Sequence, residues 1–329
     1  MEPRTLQEAI LYFADYAHCH EAVTAIRWPD GVVKCPTCGS ENVTYLENAR
    51  VWKCYAKHPR AKFSLKVGTI FEDSAIPLQK WLPALWLVVN CKNGISSYEL
   101  ARALGVTQKT AWFMLSRLRL ALQSDTEKFD GHVEVDETFI GGQARFMHKA
   151  KRHRVMKGKV AGRGHLTAVV GAIKRTNDAG HSRAVVRVIP DTRRKSVMPF
   201  VREYVSREKA ILYTDSLRSY EQPPTSPWTG ERSPEAFEHR VIDHAIAYVQ
   251  GDIHTNAAEN FWALVKRMLK GTYVSVEPFH LFRYLDEQVF HFNNRKGTDA
   301  MRFALALKGI INKRLTYTAL TGSELPQTC

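Results

Sequence analysis

Two aspartates stand in strand-like runs. Asp136 lies in HVEVDETFIGG, a β-branched run that ends at Gly141-Gly142, and Asp215 closes the apolar AILYTD. Aspartates facing one end of a sheet commonly hold a divalent cation. Two of them with a third oxygen ligand make a site for one or two Mg²⁺ (or Mn²⁺) ions that can activate a nucleophile and stabilise a leaving oxygen at phosphorus. Taken singly, each aspartate is also explained as a turn residue ending its strand. The stretch HTNAAENFWALVKR offers the third oxygen. Phe261, Leu264, Val265 and Met268 recur at helical spacing, so it reads as an amphipathic helix. Asn256 and Glu259, at i and i+3, share a face, and Lys266 follows about two turns beyond Glu259. A glutamate would add charge and hold a second cation more firmly, whereas an asparagine offers a neutral carbonyl oxygen. Asn256 can also be only the N-cap of the helix.

A second chemistry is carried by Cys35-Pro-Thr-Cys38, followed by Cys54 after 15 further residues and then by His58. Zinc takes four soft or borderline ligands at tetrahedral corners. A C-x2-C knuckle supplies two of them from one turn, and a second knuckle, here C-x3-H, supplies the rest. With all four positions filled by protein, such a Zn²⁺ is structural and folds a segment that lacks its own core. Cys19, Cys91 and Cys329 are scattered and read as plain thiols, and the cysteine usage indicates a reducing compartment.

Asp136 is followed by a strongly basic segment. No acidic residue occurs between Glu137 and Asp178, while Arg145, Lys149, Lys151, Arg152, Arg154, Lys157, Lys159 and Arg163 crowd together. A charge run is usually a solvated loop, but one that follows a candidate metal-binding strand suits a phosphate backbone. The net charge of +14 and pI near 9.5 point the same way, to a polyanionic partner, with nucleic acid ahead of a membrane surface. SSYELARALGVTQKTAWFMLSRLR adds a helix-turn-helix pattern. Ser96 or Ser97 caps a first helix, Gly105-Val106 makes the turn, and Thr107 caps a second helix. That second helix is expected to bury Ala111, Met114, Leu115 and Leu118 and to expose Gln108, Lys109 and Arg117 to phosphates and base edges. Trp112 and Phe113 read as core, and His132, His148 and His153 have no metal-ligand spacing.

Elements that must position these residues follow from the chain of 329 residues, long enough for two or three domains. Residues 1–30 read as one helical segment, 31–72 as the zinc ribbon and 76–125 as the helix-turn-helix domain. Residues 130–300 alternate strands and helices, an α/β domain, and 301–329 form a C-terminal helical tail. The basic run from Gln143 to His165 and EQPPTSPWTGERSPE read as loops. The N-terminus has no signal-peptide pattern, and WLPALWLVVN is too short to span a bilayer, so a soluble, cytoplasmic protein is expected.

These strings together, from RWPDGVVKCPTCGS through FSLKVGTIFEDSAIPLQKW, GVTQKTAWFMLSRLR, VEVDETFIGG, YTDSLRSY and HTNAAENFWALVKR to HLFRYLDEQVFHFNNRK, give a chain that resembles the insertion-sequence transposases of the ISXO-like group, relatives of the Merlin DNA transposons. The resemblance runs nearly full length. It implies an α/β multidomain protein with a zinc ribbon, a helix-turn-helix and an RNase H-like catalytic domain. That domain uses an Asp-Asp-Asn or Asp-Asp-Glu triad and Mg²⁺ to cut transposon ends and join them to target DNA in a prokaryotic, nucleoid-associated setting. Asp136 and Asp215 match the first two catalytic positions. Asn256 is the third by the group's usual assignment, with Glu259 and its following Lys266 as the glutamate form. Lys266 and Arg267, with the basic segment, would position DNA, and pairing two ends implies a homodimer or higher oligomer on DNA. Two departures stand out: His58 replaces a cysteine found in many relatives, and Pro223 to Pro234 look like an insertion. The competing readings are a DNA-binding regulator with an inactive transposase-like domain and a metal-dependent nuclease that hydrolyses without joining.

Overall fold

In the computed structural model the described residues are 3–123, 127–142, 147–156, 165–176, 181–215, 218–220, 237–242 and 256–322. The chain forms two compact units, Met1–Ser124 with Lys296–Cys329, and Asp125–Arg295.

The first unit opens with two helices, α1 (Leu6–Ala14) and α2 (Tyr16–Arg27), where the sequence suggests one. Asp15 causes the break. Its backbone is extended and its side chain accepts from the Ala17 N–H, so it caps α2 and ends α1. A three-stranded antiparallel sheet follows, β1 (Val43–Leu46), β2 (Val51–Cys54) and β3 (Lys62–Ser64). Its buried centre is Trp52, packed on Trp28, Phe63, Tyr45 and His20. Helix α3 (Leu78–Asn90) is buried along most of its length, with Trp81 and Trp86 in the core. Helices α4 (Ser97–Leu104) and α5 (Gln108–Ala121) follow, joined by a short turn at Gly105. Ser96 and Glu99 form a capping box on α4, and Thr107 caps α5. Gly105 between them has φ +60°, a left-handed C-cap that a side chain rarely adopts.

Asp125–Arg295 holds a mixed sheet with, among the described residues, the strand order β6-β5-β4-β7-β8. The strands are β4 (Phe129–Ile140), β5 (Thr167–Lys174), β6 (Arg183–Ile189), β7 (Val205–Asp215) and β8 (Glu238–Ile242). β4, β5 and β6 form an antiparallel meander, and β7 and β8 add in parallel beside β4. Helix α6 (Lys149–Met156) occupies part of the basic segment that the sequence suggests is all loop. Helix α7 (Arg194–Tyr204) covers one face of the sheet, packing Val197, Phe200 and Val201 against Val133, Val135 and Leu212. Helix α8 (Asn256–Met268) and helix α9 (Leu281–Asn293) cover the other, where Phe261, Trp262 and Val265 meet Val169 and Ile173. Strand alternation therefore sends Glu134 and Asp136 to the α8 face and their neighbours Val133 and Val135 to the α7 face.

Helices α10 (Asp299–Lys308) and α11 (Tyr317–Thr321) return to the first unit, where Phe303 packs on Phe13 and Trp86. Among the described residues no helix is long and apolar enough to cross a membrane.

Candidate active site and metal centre

Strand register brings the carboxylates together. β4 and β7 run parallel with Glu134 opposite Tyr213, so Asp136 and Asp215 follow two residues later on the same face. Asp215 is the last residue of β7, as its strand-ending position suggests. Asp136 lies inside β4, which continues to Ile140 because β5 pairs with it that far. Burial pushes the Asp136 carboxyl up to about 6, and the charges of Asp215 and Glu259 push in the same direction. The backbone N–H of Glu137, at 2.8 Å, and the indole N–H of Trp262, at 3.1 Å, oppose that rise by donating to Asp136. Glu259 thus comes near enough from the first turn of α8 for its charge to act on Asp136. Asn256 opens the same helix, and both it and Glu259 are exposed. Mutually repelling carboxylates gathered in this way form an oxygen-rich donor set that fits a hard divalent cation.

The helix that brings Glu259 is fitted closely to the sheet. Trp262 lies over Gly171, the register partner of Asp136 on β5. A Cβ at Gly171 would stand 2.7 Å from Cζ2 of Trp262, so only glycine lets the indole lie this close to the strand and still reach Asp136. Glu134 is fully buried, salt-bridged to Arg175 at 2.6 Å, and accepts the Ala258 backbone N–H of α8 at 2.9 Å. On the other face, burial pushes the Glu137 carboxyl up to about 8, the nearby Asp215 and Asp136 charges adding to the rise, while the Tyr220 hydroxyl donates to it. Sequence reasoning passes over Glu134, Gly171, Trp262 and Arg175. A glycine inside the strand-like TAVVGAIK is the one local signal of a close approach.

The DNA-facing candidates divide. Lys109 on α5, Lys149 and Arg152 on α6, and Lys266 and Arg267 on α8 are exposed. Gln108 is half-buried, with its amide donating to Ser97 at 2.8 Å. Arg145 lies outside the described residues, and Lys151 and Arg154 lie within α6 with their side chains outside them. Arg117 is not exposed, contrary to the helical reading. It is 4% exposed, and its guanidinium donates to the carbonyls of Ile70 at 2.9 Å and Glu72 at 2.6 Å. Those carbonyls, which helical periodicity cannot foresee, hold Arg117 inside.

Near the N-terminus, the Cys35, Cys38, Cys54 and His58 ligand atoms all lie within 4.8 Å of one another. Cys38 and Cys54 sulfurs are 3.7 Å apart, and Cys35 Sγ is 3.5 Å from His58 Nε2. Four ligands about 2.3 Å from a tetrahedral zinc have edges near 3.8 Å, so the set fits that ion. Burial pushes the Cys35 thiol up, but hydrogen bonds from the Thr37 and Cys38 backbone N–H groups and from the Cys38 and Cys54 thiols together lower its pKa, while the neighbouring Cys38 thiol is raised.

Comparison with known proteins agrees with this layout. The family model described as the ISXO2-like transposase domain matches residues 128–293, and that of the transposase zinc-ribbon domain matches residues 15–56. Over 247 residues, 74% of this chain and 80% of the relative, the sequence is 27% identical to an uncharacterized protein in transposable element ISH50 of Halobacterium salinarum. No solved structure matches the chain. With the domain model spanning half of the chain and the carboxylates converging inside it, the protein belongs to the ISXO2-like insertion-sequence transposases.

Proposed function

We propose that this transposase binds the terminal inverted repeats of its insertion sequence and carries out Mg²⁺-dependent strand cleavage and strand transfer. The observation that carries the reading is the convergence of Asp136, Asp215 and the first turn of α8 on one face of the sheet, with Asp136 raised by burial and by the Asp215 and Glu259 charges. Asp136 and Asp215 would hold the divalent ions. Glu259, whose charge already acts on Asp136, is the favoured third ligand, and Asn256, one turn earlier, is the neutral alternative. When bound, the ions supply charge neutralisation at the attacking and departing oxygens of an in-line displacement at phosphorus. The protein's own part is positional. Trp262 fixes one oxygen of Asp136, and a group held this way loses little on reaching the reactive geometry. Lys266 and Arg267, with Lys149 and Arg152, would meet the phosphate backbone, while Gln108 and Lys109 would serve the helix-turn-helix contact. Cys35, Cys38, Cys54 and His58 would hold a structural Zn²⁺ that fixes the three-stranded sheet. Two transposon ends must be paired, so a homodimer or larger assembly on DNA inside the cell follows from the chemistry.

The test is a cleavage and strand-transfer assay on DNA carrying the repeats that flank the gene, with Mg²⁺ or Mn²⁺. Wild type should cut and join, and Asp136→Ala and Asp215→Ala should do neither. Comparing Asn256→Ala with Glu259→Ala then identifies the third ligand. Binding without cutting under either metal would support a DNA-binding regulator instead, and cutting without joining a nuclease.

A further inference from the structure

Glu134 lies two residues before Asp136 on β4, on the same face of the sheet, in the middle of the second unit's core. Both of its oxygens are engaged. Oε1 accepts from Arg175 Nε at 2.6 Å, and Oε2 accepts from the Ala258 N–H at 2.9 Å. Ala258 immediately precedes Glu259, so the atom pinned to the sheet is one residue from the side chain that must meet Asp136. Arg175 is itself fixed. Its guanidinium lies over the Tyr213 ring at 4.1 Å, its backbone N–H donates to the His132 carbonyl at 2.8 Å, and the Tyr213 hydroxyl and His132 Nδ1 are 2.8 Å apart. The network ties β4, β5 and β7 to the start of α8.

A buried ion pair contributes little net stability, because desolvation offsets most of its attraction. Its effect here is geometric. A carboxylate at the first turn of a helix satisfies an amide that has no partner within the helix and aligns with the helix dipole. It also does so at a fixed distance, about two residues of extended strand, from Asp136. We propose that Glu134, clamped by Arg175, is the positioning residue of the catalytic centre: it docks the first turn of α8 on β4 and so sets where the third ligand stands relative to Asp136. This role rests on the reading that α8 carries that ligand.

The experiment compares wild type with Glu134→Gln, Glu134→Ala and Arg175→Gln. Asp130→Asn, at the exposed start of the same strand, is the control, and Glu259→Gln runs in parallel. Amide hydrogen exchange is measured on Mg²⁺-free protein over residues 256–264. Single-turnover cleavage is measured across a Mg²⁺ series, and repeat binding is measured without divalent ions beyond the structural zinc. Losing an outer partner of a metal ligand typically costs roughly 10- to 100-fold in metal affinity or activity. Glu134→Gln should therefore speed exchange in the first turn of α8 and raise the half-saturating Mg²⁺ by about that range, with repeat binding unchanged and Asp130→Asn like wild type. Glu134→Ala should be worse. Should it fail to accumulate as folded protein, Glu134→Gln and Arg175→Gln decide the matter. Unchanged exchange and an unchanged Mg²⁺ midpoint in both, beside an inactive Glu259→Gln, would overturn the positioning role alone. Wild-type cutting by both Glu259→Gln and Asn256→Ala would overturn α8 as the ligand-bearing helix, and the positioning role with it.

Discussion

Replacing Gly171 by alanine adds one methyl group at the closest contact between α8 and the sheet. The new Cβ would stand 2.7 Å from Cζ2 and 2.9 Å from Cη2 of Trp262, with Cγ1 of Val186 at 3.2 Å on another side. Carbon atoms rest about 3.5 Å or more apart, so the indole must retreat by roughly 0.8 Å. Trp262 is 3% exposed and packed between α8 and β5, so the retreat moves the helix rather than the ring alone. Its hydrogen bond to Asp136, now 3.1 Å, lengthens beyond useful range, and Glu259, three residues earlier, shifts with it. Overpacking of this kind costs about 1–3 kcal/mol of stability. A displacement near 1 Å in a catalytic group costs on the order of 10²-fold in rate. The assay is single-turnover cleavage of repeat DNA, with chemical denaturation of the same preparations. Gly171→Ala should cut about 100-fold more slowly while remaining folded, because the loss lies in geometry. Trp262→Phe supplies the second leg of a double-mutant cycle, since the smaller ring vacates the space the methyl needs. The double variant should be less impaired than the two single losses combined, with a coupling of about 1 kcal/mol or more. Strict additivity, or wild-type cleavage by Gly171→Ala, would refute the claim that Trp262 on Gly171 sets the helix against Asp136.

Arg117→Ala should lower folding stability by about 2–3 kcal/mol by orphaning the Ile70 and Glu72 carbonyls, with no change in the salt dependence of DNA binding, as checked by denaturant titration and binding isotherms. Lys109→Ala should do the reverse, leaving stability alone and reducing the slope of log affinity against log salt by about 1. Elemental analysis of purified protein should find about one zinc per chain, lost in Cys54→Ser and in His58→Ala; zinc retained by His58→Ala would remove that histidine from the ligand set. In Mg²⁺-free protein the carboxyls of Asp136 (about 6) and Glu137 (about 8) sit above the usual carboxylate range. The stability they contribute is complete below pH ~4 and is lost as pH rises through 6 and then 8. The melting temperature should therefore fall more steeply across that window in wild type than in Asp136→Asn or Glu137→Gln, and parallel curves would count against the buried-carboxylate account.

What the sequence discloses follows from the range over which each signal acts. The Cys35–Cys38 knuckle is local chemistry at a fixed spacing, and the structure gathers all four ligands. The capping residues Ser96 and Thr107 with Gly105 between them are equally local, so the two helices and the turn joining them are readable. Asp15 is a local signal too, an N-cap inside an apparently continuous helix, and it shows how a capping residue can outweigh apolar periodicity. Arg117 marks the limit. Its place on α5 says only which face it shares, and its burial is decided by carbonyls at Ile70 and Glu72, more than 40 positions away. Glu134 and Gly171 are hidden for the same reason, since each matters through a contact with α8 that no spacing within its own strand records.

The same distinction bears on the third ligand. From spacing alone Asn256 and Glu259 are interchangeable, because i and i+3 point to one side of a helix. The difference arises from how the helix meets the sheet. α8 is pinned at Ala258 by Glu134 and again at Trp262, which lies over Gly171 and reaches Asp136. Glu259 lies between the two pins, so any motion of the helix moves it least. Asn256 lies outside them, on the first helical residue, where ends fray. A ligand for a hard cation gains from being charged and from being held before the ion arrives. Glu259 is charged and its backbone lies between the pins, whereas Asn256 is neutral and lies outside them, which is the physical reason to propose the glutamate over the asparagine that the family resemblance puts first.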